Sequence, residues 1–470
     1  MNLRNIIPVL FAGLIILISV LSGTGCANIV PPQGGPRDSL PPVLIKVTPP
    51  DSSVNFATNR INFSFNEYID IDNFLQNAII SPIPKSMPQP TRKLNTLSIR
   101  LKDSLEPNTT YTINFGKSIK DFNEGNIMKD FTYVFSTGRV IDSLSFAGSV
   151  ILAETGKTDS TLIVILHKKS EDSAVVKERP RYMAKLDNKG NFVFHNLPAG
   201  TFYVYALDDA ARTYRYLDNR KLFAFADSPV IVQRDTKPVI LYAYAEAKPK
   251  PTTSTTGSQG QSATDKRLKF QTSLRSGNKS QDLLQQFSFI FDRPVRQFDS
   301  AKVHFSTDSA YIPERGYSWS IDTSKKKITL ACSWRENTLY HLILEKDFAT
   351  DTLNHQLLKA DTITFRTMKN SDYGKLMIRF RNLDLTKNPV LQFVQSGEVE
   401  SSFPLTSTTL SQDLFLPGEY DLRILNDANK NGIWDPGSFF GKHRQPEIAK
   451  PIERKLTIKS NWDNEFEIKL

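Results

Sequence analysis

The residues best suited to chemistry lie in a short oxygen-rich segment near the C-terminus, DANKNGIWD at residues 427–435. Oxygen-bearing side chains recur there at alternate positions, Gly432 permits a sharp turn, and one further residue can offer its backbone carbonyl. The candidate ligands are Asp427, Asn429, Asn431, Ile433 and Asp435. Because alternate oxygen ligands around a glycine turn can converge on a hard cation, the segment reproduces most of a Ca²⁺-binding loop.

Two interpretations of this segment remain open. The twelfth position, where an EF-hand supplies a bidentate Glu, is Ser438, and no helical pattern flanks the segment. The first interpretation, which we favour, is a strand connection closed by Asx turns. The second is a weak metal site with a dissociation constant of about 10⁻⁴–10⁻³ M. Ca²⁺ is the one cofactor that the sequence suggests.

No catalytic signature accompanies this loop. The sequence contains no Gly-x-Ser-x-Gly elbow, no His-Glu-x-x-His pair and no phosphate-binding glycine loop. Its six histidines are scattered, and its two cysteines are too few for a disulfide framework. Glu67 and Asp70 could form a carboxylate pair, but a solvated strand end explains them equally well. We therefore assign no catalytic residue and expect a protein that is not an enzyme.

The N-terminus carries an export signal. An apolar run from Ile6 to Leu21 follows a single charged side chain, Arg4, and is too short for a bilayer span, which needs about 20 residues. Small residues then lead to Gly25 and Cys26. A cysteine at this place resembles the lipobox of bacterial lipoproteins, although Gly23 stands where Leu is usual, as in looser boxes of Bacteroidetes lipoproteins.

This resemblance implies that residues 1–25 are removed and that Cys26 is lipidated, for example with palmitate. Residues 26–40 are rich in Pro and Gly and read as a tether. Ala27 is not the Asp that retains many lipoproteins at the inner membrane, so the resemblance implies the outer membrane, with the periplasmic face slightly preferred to the cell surface. The alternative is an ordinary signal peptide or an uncleaved anchor.

The remaining chain is organised as repeated pairs of segments. Residues 246–266 lack large apolar side chains and are typical of a flexible linker between two halves. In the first half, Phe63 and Phe65 alternate with polar residues, and in the second half Phe289 and Phe291 hold the corresponding places. Alternation of this kind predicts strands with one buried face.

Each half also repeats a turn followed by a tyrosine. The segment LEPNTTY ending at Tyr111 is echoed by WRENTLY ending at Tyr340. The first resembles the tyrosine corner of immunoglobulin-type sandwiches, in which the hydroxyl binds upstream backbone. Residues 41–138 resemble the bacterial Ig-like domain first described in S-layer proteins, and residues 267–368 resemble a diverged copy. The resemblance implies structural roles for both tyrosines.

A second kind of module follows each Ig-like segment. Turns and alternating strands near residues 186–205 resemble the carboxypeptidase regulatory-like, prealbumin-type sandwich, which would cover 139–245. The segment LPGEYDLR at 416–423 marks a partial copy over 369–470. The predicted fold is therefore all-β, a series of tandem β-sandwiches behind a lipoprotein signal.

Three functions are compatible with this organisation. The first is a non-enzymatic envelope lipoprotein that acts as a binding or scaffold module. The second is an accessory subunit of an outer-membrane complex, and the third and least favoured is a glycan-active enzyme. The formal net charge of +10 favours acidic partners. We expect contact with the membrane through the lipid and with an envelope protein or acidic envelope polymer, and none with nucleic acid.

Overall fold

β-Strands form nearly all regular structure of the described residues. The computed structural model describes residues 37–247, 267–274 and 280–470. Within these ranges the two α-helices are single turns, so the all-β prediction is confirmed. No helix in the described ranges combines the length and apolar character needed to cross a membrane. The predicted signal peptide, Cys26 and most of the predicted linker lie outside the described residues.

The chain divides into two compact units, and the division falls between Ile141 and Asp142. The sequence suggested 246–266 as the boundary between two halves, and the described residues on both sides of that stretch, 142–247 and 267–470, belong to the second unit. The first unit holds residues 37–80 and 84–141 of the described chain, and the second holds the rest.

The first unit is a β-sandwich. Its strands are β1 (Leu44–Thr48), β2 (Arg60–Phe65), β3 (Ile69–Ile71), β4 (Ile79–Ser81), β5 (Gln89–Lys93), β6 (Thr96–Arg100), β7 (Thr110–Asn114), β8 (Ile119–Asp121), β9 (Ile127–Met128) and β10 (Thr132–Ser136), with helix α1 (Phe74–Asn77) between β3 and β4. One sheet has the order β1-β2-β6-β5 and a second the order β10-β7-β4, while β3, β8 and β9 form a small third sheet.

Period-two alternation builds the core of this unit. Ile61, Phe63 and Phe65 on β2 are fully buried, while the residues between them face away from the core. Phe63 makes edge-on contacts with Phe115 and Tyr133 from the opposing sheet, with ring centroids 5.3 Å apart in both pairs. Edge-to-face packing of this kind adds to the free energy gained from burial.

The second module, residues 142–247, opens the second unit. Its strands are β11 (Leu144–Leu152), β12 (Ile163–His167), β13 (Tyr182–Lys185), β14 (Asn191–Leu197), β15 (Gly200–Leu207), β16 (Phe223–Phe225), β17 (Val230–Val232) and β18 (Val239–Ala243), with helix α2 (Ala174–Lys177) after β12. The sheet β14-β11-β18 packs against the sheet β13-β12-β15-β16, to which β17 adds by pairing with β15.

The third module, residues 267–368 of the described chain, repeats the arrangement of the first unit. Its strands are β19 (Phe270–Thr272), β20 (Ser280–Gln281), β21 (Phe287–Phe291), β22 (Val295–Phe298), β23 (Val303–Thr307), β24 (Ile312–Pro313), β25 (Ser318–Ile321), β26 (Lys327–Ala331), β27 (Leu339–Leu344), β28 (Ala349–Asp351) and β29 (Asp361–Thr367). The sheet β19-β21-β26-β25 corresponds to β1-β2-β6-β5, and its partner has the order β20-β29-β27-β23-β24.

The C-terminal module, residues 369–470, repeats the second module. Its strands are β30 (Gly374–Arg381), β31 (Pro389–Gln395), β32 (Glu398–Pro404), β33 (Thr409–Phe415), β34 (Gly418–Asn426), β35 (Ile448–Ile458) and β36 (Asp463–Lys469). In both modules the last strand pairs in parallel with the first, β18 with β11 and β36 with β30. Together with the matching sheet orders, β14-β11-β18 and β33-β30-β36, this parallel pair shows that the two modules share a strand arrangement.

Candidate functional site

The oxygen-rich loop, residues 427–435, begins where β34 ends. Asp427 is 2% exposed, and its carboxylate accepts hydrogen bonds from the backbone N–H groups of Lys430 and Gly432, both at 2.7 Å. A longer bond of 3.3 Å comes from the backbone of Asn431. Both carboxylate oxygens are therefore occupied by the turn that they close.

The other predicted ligands lie next to one another but bond among themselves. One carboxylate oxygen of Asp435 accepts the side-chain amides of Asn429 at 2.6 Å and Asn431 at 2.7 Å. The amide oxygens of both asparagines accept backbone N–H groups two residues ahead, including that of Ile433 at 2.9 Å. A cation bound next to Asp435 would need the side-chain oxygens of Asn429 and Asn431 to face it, but their amide N–H groups lie there instead. The loop therefore has the arrangement of an Asx-turn connection.

A further acidic residue joins this loop from outside the sequence motif. Glu447, directly before β35, accepts the backbone N–H groups of Ala428 at 2.8 Å and Asp435 at 3.1 Å. Burial raises the pKa of Glu447, and the negative charges of Asp427 and Asp435 raise it further against the effect of those two bonds. Nothing in the nine-residue motif pointed to Glu447. Across the described residues, no group of three or more His, Cys, Asp or Glu has a metal-binding arrangement.

The continuation of the loop contacts the second module. We call residues 436–447 the docking loop. Phe439 is 2% exposed, and its ring lies among three aromatic rings of the second module. The ring-centroid distances are 5.6 Å to Tyr205, 5.2 Å to Phe223 and 5.1 Å to Phe225. An aromatic side chain fully buried against another module is the usual anchor of a stable interface.

Polar contacts surround this anchor. His443 stacks on Phe439, and its Nε2 lies 2.8 Å from the carboxylate oxygens of Asp172 in the second module. Gln445 donates its side-chain amide to the carboxylate of Asp227 at 2.7 Å. The backbone N–H of Phe439 donates to the Glu246 carboxylate at 2.9 Å. Glu246, the first residue of the predicted linker, is thus part of the interface.

Backbone and arginine contacts extend the interface beyond the docking loop. The backbone N–H of Ala449 donates to the carbonyl of Ala153 at 2.8 Å. Arg423 on β34 is 5% exposed and donates to the Glu154 carbonyl at 3.3 Å. Burial lowers the pKa of the Arg423 guanidinium, and nearby carboxylates, first that of Glu154, oppose this shift. The second and C-terminal modules therefore form one body, although the third module separates them in sequence.

The third module contacts the C-terminal module through a buried tyrosine. The Tyr373 hydroxyl donates to the carboxylate of Asp282 at 2.6 Å and accepts the backbone N–H of Leu283 at 2.7 Å. Tyr373 is fully buried. This contact fixes the short connection between β29 and β30, so the three modules of the second unit are all joined by specific contacts.

The tyrosines singled out by sequence lie at turns between the sheets. The Tyr111 hydroxyl accepts the backbone N–H of Glu106 at 2.8 Å, five residues upstream. The Tyr340 hydroxyl accepts the backbone N–H of Arg335 at a longer 3.4 Å, again five residues upstream. Both side chains are buried, which gives them the geometry of tyrosine corners.

A comparison with known families matches the domain that contains Tyr111. Residues 38–137 match the family described as bacterial Ig-like domain. The chain contains an Ig-like domain. The match covers the sandwich of the first unit, including Tyr111. Among curated proteins, none matches the chain.

Solved structures add distant likenesses. The N-terminal part of the bacterial S-layer protein SbsC is 15% identical over 43% of this chain and 44% of that chain, with a TM-score of 0.16. The major pilin subunit of Bacillus cereus is 9% identical over 69% and 99%, with a TM-score of 0.17. An L,D-transpeptidase from Mycobacterium smegmatis is 11% identical over 42% and 77%, with a TM-score of 0.16.

The chain covers about half the length of three S-layer structures that it matches, 44%, 54% and 55% of them. Because these TM-scores are low, the solved structures give no information about the activity of this chain.

A buried carboxylate of the Ig-like domain has partners in its own turn. In the Ig-like domain, Asp121 is 1% exposed. Burial acts to raise its pKa, but three backbone hydrogen bonds from residues 124–126 hold the pKa of Asp121 below its usual value. Burial, followed by the charge of Asp121, raises the pKa of the nearby Glu67. The carboxylate of Asp121 therefore closes its own turn at residues 121–126.

Proposed function

We propose that this chain is a non-enzymatic envelope lipoprotein whose β-sandwiches act as a rigid binding scaffold. The observation that carries the scaffold role is the docking of Phe439 among Tyr205, Phe223 and Phe225. It joins two modules that lie far apart in sequence. A body held by such contacts keeps its binding surfaces at fixed spacing, which is what a scaffold requires.

The envelope role is supported by the export signal and by Cys26 directly after its small-residue exit. The proposed lipid anchors the chain at the outer membrane, preferably on the periplasmic face. In cells supplied with radiolabelled palmitate, the label should enter the wild-type chain and be absent from Cys26→Ala. Equal labelling of both chains would contradict the anchor.

The binding role is tested by affinity purification of the tagged chain from detergent-solubilised membranes. If the chain is the proposed scaffold, we expect it to be recovered without an outer-membrane protein in equal molar amount. Recovery of one such protein in equal amount would support the alternative function, an accessory subunit of an outer-membrane complex. If the wild-type chain hydrolysed a glycan and Glu67→Gln did not, the non-enzymatic assignment would be contradicted.

A further inference from the structure

The outward face of one sheet in the Ig-like domain carries positively charged side chains and no negatively charged ones. Strands β1, β2, β5 and β6 contain no Asp or Glu. Their outward basic residues are Lys46, Arg60, Lys93 and Arg100, whereas Arg92 lies opposite the buried Leu97 and forms an ion pair with Asp70. We call the outward positions of these four strands the basic face. We propose that the basic face binds an acidic polysaccharide.

The sharpest feature of the basic face is a pair of like charges. Arg60 on β2 lies directly opposite Arg100 on β6 in the antiparallel register, and both side chains are exposed. Like charges in this position destabilise a sheet. In the described part of the chain, neither arginine forms an ion pair with a carboxylate. The pair therefore presents two guanidinium groups to solvent, and an anionic group between them would relieve the repulsion.

A second cationic row lies at the other end of the face. Lys46 on β1 is opposite Ser64, and Lys93 on β5 is opposite Thr96. Ser64 lies four residues from Arg60 along β2, so the two rows are about 13 Å apart at 3.3 Å per residue. The basic face thus offers positive charge at two separated lines across the same strands.

Uncharged hydrogen-bonding side chains fill the band between the rows. Asn62, Ser98 and Thr91 occupy neighbouring positions on β2, β6 and β5. The Ser98 hydroxyl donates to the amide oxygen of Asn62 at 2.6 Å, which leaves the amide N–H groups of Asn62 available as donors. Hydroxyl and amide groups of this kind suit the many hydroxyls of a sugar chain.

This combination favours an acidic polysaccharide over other polyanions. Single-stranded nucleic acids are bound by aromatic side chains on which bases stack, and the outward positions of β2, β5 and β6 carry none. The outward positions of these three strands also lack the apolar residues that insert into a bilayer interface, and the one large apolar side chain exposed on the fourth strand, β1, is that of Ile45. Arginine binds carboxylates through two parallel N–H donors. A hydroxyl-bearing polymer with spaced acidic groups is complementary to both rows and to the band between them.

The other modules show that this face is specific to the Ig-like domain. In the matching sheet of the third module, the residues that follow the Phe287–Leu330 pair in register are Gln286 and Ala331, in the places of the two arginines. In the C-terminal module, Arg379 and Arg381 are paired with Glu465 and Glu467 on the neighbouring strand. The third module therefore lacks the arginine pair, and the two arginines on β30 of the C-terminal module are paired with glutamates.

The proposal rests on the envelope function, because the chain must meet the polymer there, but its test uses purified protein. Binding of the full mature chain to polygalacturonate, a polymer of a uronic acid, is measured by biolayer interferometry in detergent, with neutral dextran as the reference. We expect binding to polygalacturonate alone, and we expect Arg60→Ala with Arg100→Ala to weaken it by about tenfold or more. Failure of this experiment leaves palmitate labelling at Cys26 unaffected, so the two proposals fail separately.

Two further variants distinguish a loss of binding from a loss of stability and from a general loss of positive charge. Arg100→Glu creates a cross-strand ion pair with Arg60, so we expect it to melt no lower than the wild type while losing binding. Arg379→Ala with Arg381→Ala removes the same two positive charges from another module and should leave binding unchanged. Equal loss in that control, no binding to polygalacturonate, or tighter binding to phosphatidylglycerol vesicles with the same dependence on Arg60 and Arg100 would overturn the proposal.

Discussion

His443 and Asp172 are 271 residues apart in sequence and are joined by a contact of 2.8 Å between the imidazole Nε2 and the carboxylate. The imidazole also stacks on Phe439, with the two rings 7° from parallel. One side chain thus links the aromatic anchor of the docking loop to the polar rim of its interface. Through this contact the docking loop of the C-terminal module covers an aromatic surface of the second module.

The anchor itself should carry most of the stability of the interface. Phe439→Ala removes a buried ring from an aromatic cluster, so we expect the free energy of unfolding of the second unit to fall by about 3 kcal/mol. The neighbouring Phe440 is 44% exposed, and Phe440→Ala is the matched control, for which we expect less than half that loss. Urea titration of both variants makes the comparison. Equal losses would show that Phe439 is not the anchor.

The tyrosine corners should stabilise their domains. Tyr111→Phe leaves the backbone N–H of Glu106 without its acceptor, which should cost about 1–3 kcal/mol in a denaturant melt. Tyr340→Phe should cost less, because its bond is 3.4 Å long against 2.8 Å for Tyr111. Tyr68→Phe, at an exposed side chain, serves as control. An unchanged melt for Tyr111→Phe would reject a stabilising role for that hydroxyl.

A buried histidine should make the second unit sensitive to mild acid. His167 is 2% exposed, and burial lowers its pKa to about 4, against a weak opposing effect of Glu178. A base with a lowered pKa in the folded state contributes stability that is complete above its unfolded pKa, near 6.5, and is lost as the pH falls toward 4. The unfolded chain takes up the proton first in this window.

The melting temperature of the second unit should therefore fall between pH 6.5 and pH 4. We expect His167→Phe to reduce that fall, since the ring stays apolar and keeps its edge contact with Tyr205. Substitution of the exposed His195 by Gln is the control and should leave the pH profile unchanged. A His167→Phe profile with the wild-type slope would contradict the assignment.

The calcium hypothesis at the oxygen-rich loop stays a prediction that calorimetry can decide. Because the carboxylates of Asp427 and Asp435 already accept N–H groups of the chain, we expect equal melting temperatures in millimolar calcium and in chelator. A calcium-dependent rise that Asp427→Ala with Asp435→Ala abolishes would instead establish the weak site. Such a rise would follow from binding to the folded state alone.

Local patterns predicted the parts of the fold that local chemistry determines. Alternation at Phe63 and Phe65 predicted a strand with one buried face, and the resemblance of the segment ending at Tyr111 to a tyrosine corner implied a turn closed by a hydroxyl. Both depend on residues close together in sequence. The oxygen-rich loop was found by its spacing too, although Glu447 was missed because it lies beyond the nine-residue motif.

Docking between modules was not predictable in the same way. Phe439 follows a Pro-Gly-Ser turn and shows no strand or helix period, so nothing in its neighbourhood indicates a partner. Its partners Phe223 and Phe225 read as ordinary strand residues. The polar stretch at 246–266 suggested two separate halves, because composition reports local flexibility and not the contacts that the chain makes after it.

Cutting the chain between the second and C-terminal modules shows whether their contacts alone hold them together as one body. A protease site inserted within residues 250–262 allows cleavage of the purified full chain, followed by size-exclusion chromatography at micromolar concentration. We expect the two wild-type fragments to elute together and to separate in urea, and the fragments of Phe439→Ala with His443→Ala to separate without urea. Wild-type fragments that elute apart under native conditions would show that the two modules are not one body.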